Sequence, residues 1–170
     1  MRYLIPLLAV ATLIGCAETA VPTSTDLHIS GSAHEAALMN RGTARAKLVG
    51  VFNTQLRAAE EVPHTSSSEA IGHTQIKIYD DGTIEWMVKV NNRKSEQITA
   101  GHIHAGRVGQ AGPVVQLLFS PPARTDRQID IRSSAMNADL ASRILADPAA
   151  FYINVHSVAE PLGAIRGQLR

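Results

Sequence analysis

At 170 residues the chain has room for one domain with export and tether segments beside it. An apolar share of 45% supports a packed core, and with only 4% aromatics that core must be filled mainly by Val, Ile, Leu and Ala. The 16 basic and 15 acidic residues are well mixed, so no basic stripe offers nucleic acid a footing, and a single cysteine excludes both an intramolecular disulfide and the multi-cysteine zinc modules.

Arg2 supplies a short positive start, and Leu4 through Ile14 is apolar apart from Thr12. That run is too short to remain as a spanning helix and has the form of an export signal. It closes on Leu13-Ile14-Gly15-Cys16, which resembles the lipobox of bacterial lipoprotein precursors. The resemblance implies cleavage before Cys16 and a diacylglyceryl group on its thiol. Several acyl chains, each methylene contributing about 0.8 kcal/mol, would anchor the protein firmly. The expected organisation is a signal peptide over 1–15, a lipidated flexible tether over 16–46 and a folded domain over 47–170. The tether is rich in Ala, Ser, Thr and Gly, and its His28 and His34 are expected in solvent.

After residue 46 the pattern changes to short strands. Leu48 to Leu56 reads as the first, followed by the acidic turn Ala59-Glu60-Glu61-Val62-Pro63 and a Ser-rich loop. From Gly72 to Tyr79, Thr74, Ile76 and Ile78 share one face, with His73, Gln75 and Lys77 on the other. Asp80-Asp81-Gly82-Thr83 is a hairpin turn, and Ile84, Trp86, Val88 and Val90 then alternate against Glu85, Met87 and Lys89. Further strands are expected at Ile98–His104, Val114–Phe119, Arg127–Ile131, Phe151–Ser157 and Gly163–Leu169. One helix is expected within Ser134–Asp147, with Leu140, Ile144 and Leu145 as its apolar edge and Pro148 as its stop. The fold class that follows is all-β, an antiparallel Greek-key sandwich with one short helix.

Four stretches carry a family resemblance: Leu56 to Pro63, Ala100-Gly101-His102-Ile103-His104-Ala105-Gly106, Tyr152 to Ser157, and Pro161 to Leu169. In this order they resemble the CHRD domain, the module named after chordin. A looser likeness links His102-Ile103-His104 and Val155-His156-Ser157 to the copper-binding stretches of copper-zinc superoxide dismutases, which are also Greek-key sandwiches. The Gly-rich turn before Arg166 is similar to the one preceding the active-site arginine of those enzymes. Their His/His/Asp zinc subsite and their disulfide have no counterpart here, so the likeness implies a copper-only or tris-histidine site.

The residues themselves support such a site. Two positions apart on a strand, His102 and His104 point to the same face about 6.6 Å apart, while Ile103 points into the core. His156 lies on the polar face of its strand, opposite Phe151, Ile153 and Val155. If the two strands are neighbours, three neutral imidazoles converge on one ion, and Cu(II) is bound most tightly by such a set. Binding is then expected to weaken as the pH falls through about 6.5. The alternative is three separate histidines satisfied by backbone groups. Calcium lacks an acidic cage. Arg166 is a candidate for drawing a small anion towards the site, or for an ion pair with Glu60, Glu61 or Glu160. His64 and His73 are candidate fourth ligands or exposed histidines. Glu60 and Glu61, adjacent on an extended chain, point apart and cannot flank a glycosidic bond. Ser157 has no base in register, so hydrolase chemistry has no support.

Two readings remain open. One is a membrane-anchored, extracytoplasmic binding module with a protein or matrix partner and a copper site. The other is a copper-only, superoxide dismutase-like enzyme or a copper storage or delivery protein.

Overall fold

The protein is described here from a computed structural model covering residues 45–62, 65–120 and 122–170. The expected signal peptide, Cys16, the tether up to residue 44 with His28 and His34, and His64 lie outside the described residues.

Eight strands follow in chain order: β1 (Leu48–Arg57), β2 (Ile71–Tyr79), β3 (Thr83–Asn91), β4 (Ile98–Ala105), β5 (Val114–Phe119), β6 (Gln128–Met136), β7 (Phe151–Ser157) and β8 (Ile165–Gln168). One helix, α1 (Ala138–Ala146), separates β6 from β7. The alternating stretch from Ile71 to Asn91 forms the expected hairpin, pairing Thr74 with Val88, Ile76 with Trp86 and Ile78 with Ile84. Its turn depends on Gly82, at φ 85°, and on Asp81, whose carboxylate accepts the Thr83 N–H at 2.8 Å.

All pairings are antiparallel, in the order β5-β4-β7-β8-β1-β2-β3-β6. Connections from β3 to β4, β5 to β6 and β6 to β7 cross between the two ends of this order, giving the expected Greek-key character. The sheet folds over so that β3 faces β5, and the Trp86 indole N–H donates to the Leu118 carbonyl at 3.0 Å. Between the two halves lie Leu56, Ile76, Ile78, Ile84, Trp86 and Val88 from one side. Ile98, Ile103, Phe119, Ile153, Val155 and Ile165 meet them from the other. Helix α1 is capped by Asn137, whose side-chain oxygen accepts the Leu140 N–H at 3.2 Å. Among the described residues no helix is long and apolar enough to cross a membrane.

Two expectations need correction. Strand β6 does not end at Ile131 but pairs with β3 as far as Met136, while the helix, Ala138–Ala146, lies within the expected Ser134–Asp147. Leu145 is not on the helix's buried edge: Leu140, Ala141 and Ile144 are buried, and Leu145 is 41% exposed. At 100° per residue Leu145 lies about a quarter turn from the centre of that stripe.

Strand β7 positions the site because both of its faces are covered. Phe151, Ile153 and Val155 enter the core, yet Tyr152 and Asn154 on the opposite face are buried as well. The covering comes from the loop between β4 and β5, from the turn after β1 and from the turn before β8. A polar layer thus lies on the outer side of β4, β7 and β8.

Candidate metal centre

Antiparallel pairing of β4 with β7 sets Ala100 opposite His156, His102 opposite Asn154 and His104 opposite Tyr152. The three histidines therefore project from one face of two hydrogen-bonded strands, while Ile103 is fully buried in the core between them. One nitrogen from each imidazole lies within 4.8 Å of those of the other two. His102 Nδ1 and His156 Nε2 are 3.1 Å apart. The ring centroids of His102 are 5.6 Å from His104 and 4.9 Å from His156.

Backbone carbonyls orient two of the rings from behind. His104 Nδ1 lies 2.9 Å from Gly112 O, and His156 Nδ1 lies 3.0 Å from Pro161 O. A carbonyl accepts but cannot donate, so each contact selects the Nδ1–H tautomer and makes Nε2 the acceptor nitrogen, which in His156 can take the His102 Nδ1–H. His156 Nε2 faces His102, whereas His104 Nε2 is buried with no hydrogen-bond partner among the described residues. An orphaned acceptor inside a protein is costly and calls for an explanation. A cation shared by three imidazoles provides one, and two of the three already have the outer acceptor that metal-bound histidines use.

Burial holds all three rings in the neutral, ligating form. Desolvation, then the charges that His156 and His104 would carry, pushes His102 down to about 4. Desolvation also lowers His104 against the opposing Gly112 bond, and lowers His156 against the Pro161 bond. An imidazole that protonates less readily remains available as a ligand to lower pH.

Arg166 is 3% exposed and pairs directly with none of Glu60, Glu61 and Glu160. Its Nη2 instead donates to Arg107 O at 3.1 Å and Gln110 O at 2.9 Å. Its Cζ lies 3.4 Å from the centroid of the Tyr152 ring. The guanidinium is thus enclosed by this loop and ring. Glu61 is buried too, and its carboxylate accepts from Asn154 Nδ2 at 2.7 Å. Burial raises its pKa to about 7, outweighing the Arg166 charge and the Asn154 bond that favour its anion. His73 is exposed on β2, in the other half of the sheet.

All four stretches noted in the sequence thus meet on one polar face, from Glu61 through His102 and His104 to Asn154, His156 and Arg166. The CHRD domain family model matches residues 52–169. The chain belongs to the CHRD-domain family. Neither a curated protein nor a solved structure gives a match. In this CHRD domain, sequence reasoning missed Tyr152 and Asn154, although their alternation with Ile153 and Val155 placed them on the His156 face. No local pattern showed that the carbonyls of Gly112 and Pro161 turn back onto His104 and His156, eight and five residues away.

Proposed function

We propose that this CHRD domain is a copper-binding module, displayed outside the cytoplasm by a lipid on Cys16. The observation that carries the copper reading is the buried, partnerless His104 Nε2 beside two further imidazoles. Three nitrogen donors without a carboxylate suit Cu(II) above the other common divalent ions. The His-x-His spacing shared with copper-zinc superoxide dismutases supports the same metal.

Calorimetric titration of the domain with Cu(II), beside a variant carrying His102→Ala, His104→Ala and His156→Ala, tests the reading. The expected result is one ion per domain for the parent and loss of that event in the variant. Parent binding should persist at pH 5.5, because protonation of the buried rings is suppressed. The burial that lowers these pKa values also makes their contribution to stability greatest above the ordinary value of 6.5. It falls away as pH drops through the lowered values, so folding must be checked at each pH. Equal, weak binding by parent and variant would return the histidines to a structural role.

The anchoring has its own test. Cys16→Ser is expected to release the domain into the soluble fraction or to stall its processing in the cell. A processed Ser variant that still sediments with membranes after detergent-free washing would refute lipidation at Cys16.

A further inference from the structure

Resting on the metal reading, we infer that Arg166 and Tyr152 are positioning residues that lock His104 in its ligating orientation. Pairing of β4 with β7 sets His104 opposite Tyr152, and Arg166 on β8, opposite Asn154, reaches diagonally to the Tyr152 ring. The Tyr152 and His104 rings are stacked, 4.8 Å between centroids and 13° from parallel. From the β8 side the Arg166 guanidinium presses on Tyr152 with its Cζ at 3.4 Å. A desolvated guanidinium over an aromatic face is a strong, directional contact, and its planar fork is not reproduced by lysine.

A second route reaches the same ring. Arg166 Nη2 donates to the carbonyls of both Arg107 and Gln110, the two ends of a turn closed by Gln110 N–H to Arg107 O at 3.0 Å. Two residues on, the Gly112 N–H donates to Tyr152 Oη at 3.1 Å, and Gly112 O accepts His104 Nδ1–H. Arg166 therefore holds the loop that supplies the carbonyl and the ring that supports the imidazole. Among the described residues the guanidinium has no carboxylate in contact, and its Nη2 donates to this loop. Its burial is accounted for by what it holds in place.

The test uses Cu(II) affinity by chelator competition, the Cu(II) electron paramagnetic resonance signal and nitrogen NMR of the metal-free protein. Arg166→Lys should weaken Cu(II) binding by about 10- to 100-fold and alter the resonance signal, as loss of a supporting partner does. In a His104→Ala background the same substitution should change affinity less than about twofold, because its effect runs through His104. Without metal, NMR should show His104 in the Nδ1–H tautomer in the parent and a tautomer mixture in Arg166→Lys. If Arg166→Lys does not fold, Tyr152→Phe keeps the stack, removes the hydroxyl tie to Gly112, and should shift tautomer and affinity in the same directions. Unchanged affinity and tautomer, or an equal loss with and without His104, would overturn the inference. A parent that binds no copper but loses its tautomer in Arg166→Lys would refute the metal reading and leave the positioning intact.

Discussion

Trp86→Ala is expected to remove most of the domain's stability at room temperature. Trp86 is 6% exposed, faces Ile76 across the hairpin and lies on the same side of β3 as Ile84 and Val88. Truncating so large a core side chain costs about 3–5 kcal/mol through lost burial and the cavity left behind. The indole N–H also satisfies the Leu118 carbonyl of the opposing half, and orphaning that oxygen adds about 1–3 kcal/mol. Domains of this size are stable by only about 5–15 kcal/mol, so the combined loss consumes most of the margin. Urea unfolding followed by far-ultraviolet circular dichroism measures it. Trp86→Phe, which keeps much of the ring volume but not the donor, should fall between parent and Ala variant. An unchanged midpoint in Trp86→Ala would mean that the two halves do not close over this residue.

The second large loss is expected from Gly167→Ala. Gly167 sits on β8 where the two halves of the sheet join, and that joint is narrow: β1 and β8 pair through Arg57 and Arg166. A Cβ on Gly167 would collide with the Gln55 carbonyl oxygen and come within 3.0 Å of Leu56 Cδ2. The obstacle is backbone, which cannot rotate aside as a side chain does. Relief requires β8 to move away from β1, loosening the bond from the Thr54 hydroxyl to Gln168 O at 2.5 Å. Overpacking of this kind costs about 1–3 kcal/mol, and a backbone collision belongs at the upper end of that range. Denaturant midpoints of parent and variant give the number directly. A variant within about 0.5 kcal/mol of the parent, the scatter of neutral surface changes, would show that the joint relaxes freely.

Period-two alternation was enough to place the hairpin from Ile71 to Asn91, the burial of Trp86 and the shared face of His102 and His104. Each of these depends on neighbours within one strand or across one short turn, so local stereochemistry decides it. The polar side of β7 was legible for the same reason. The CHRD resemblance, carried by four separated stretches, was legible as a pattern but not as a geometry.

Tertiary structure alone decided what those faces meet. Nothing near His156 in the chain indicates that β7 lies beside β4, because that pairing spans about fifty residues and depends on the sheet's crossing connections. Nor does local pattern show that the polar face of β7 is roofed by loops. Arg166 is therefore enclosed on Tyr152, burial pushes Glu61 up to about 7, and desolvation biases the three histidines towards the neutral form. Leu145 shows the same division on a smaller scale, apolar in the sequence yet exposed, because the direction of α1 against β2 and β3 selects the Leu140–Ile144 stripe. Alternation determines which way a side chain points. Desolvation and partner geometry, which set its chemistry, arise only when distant strands and loops close around it.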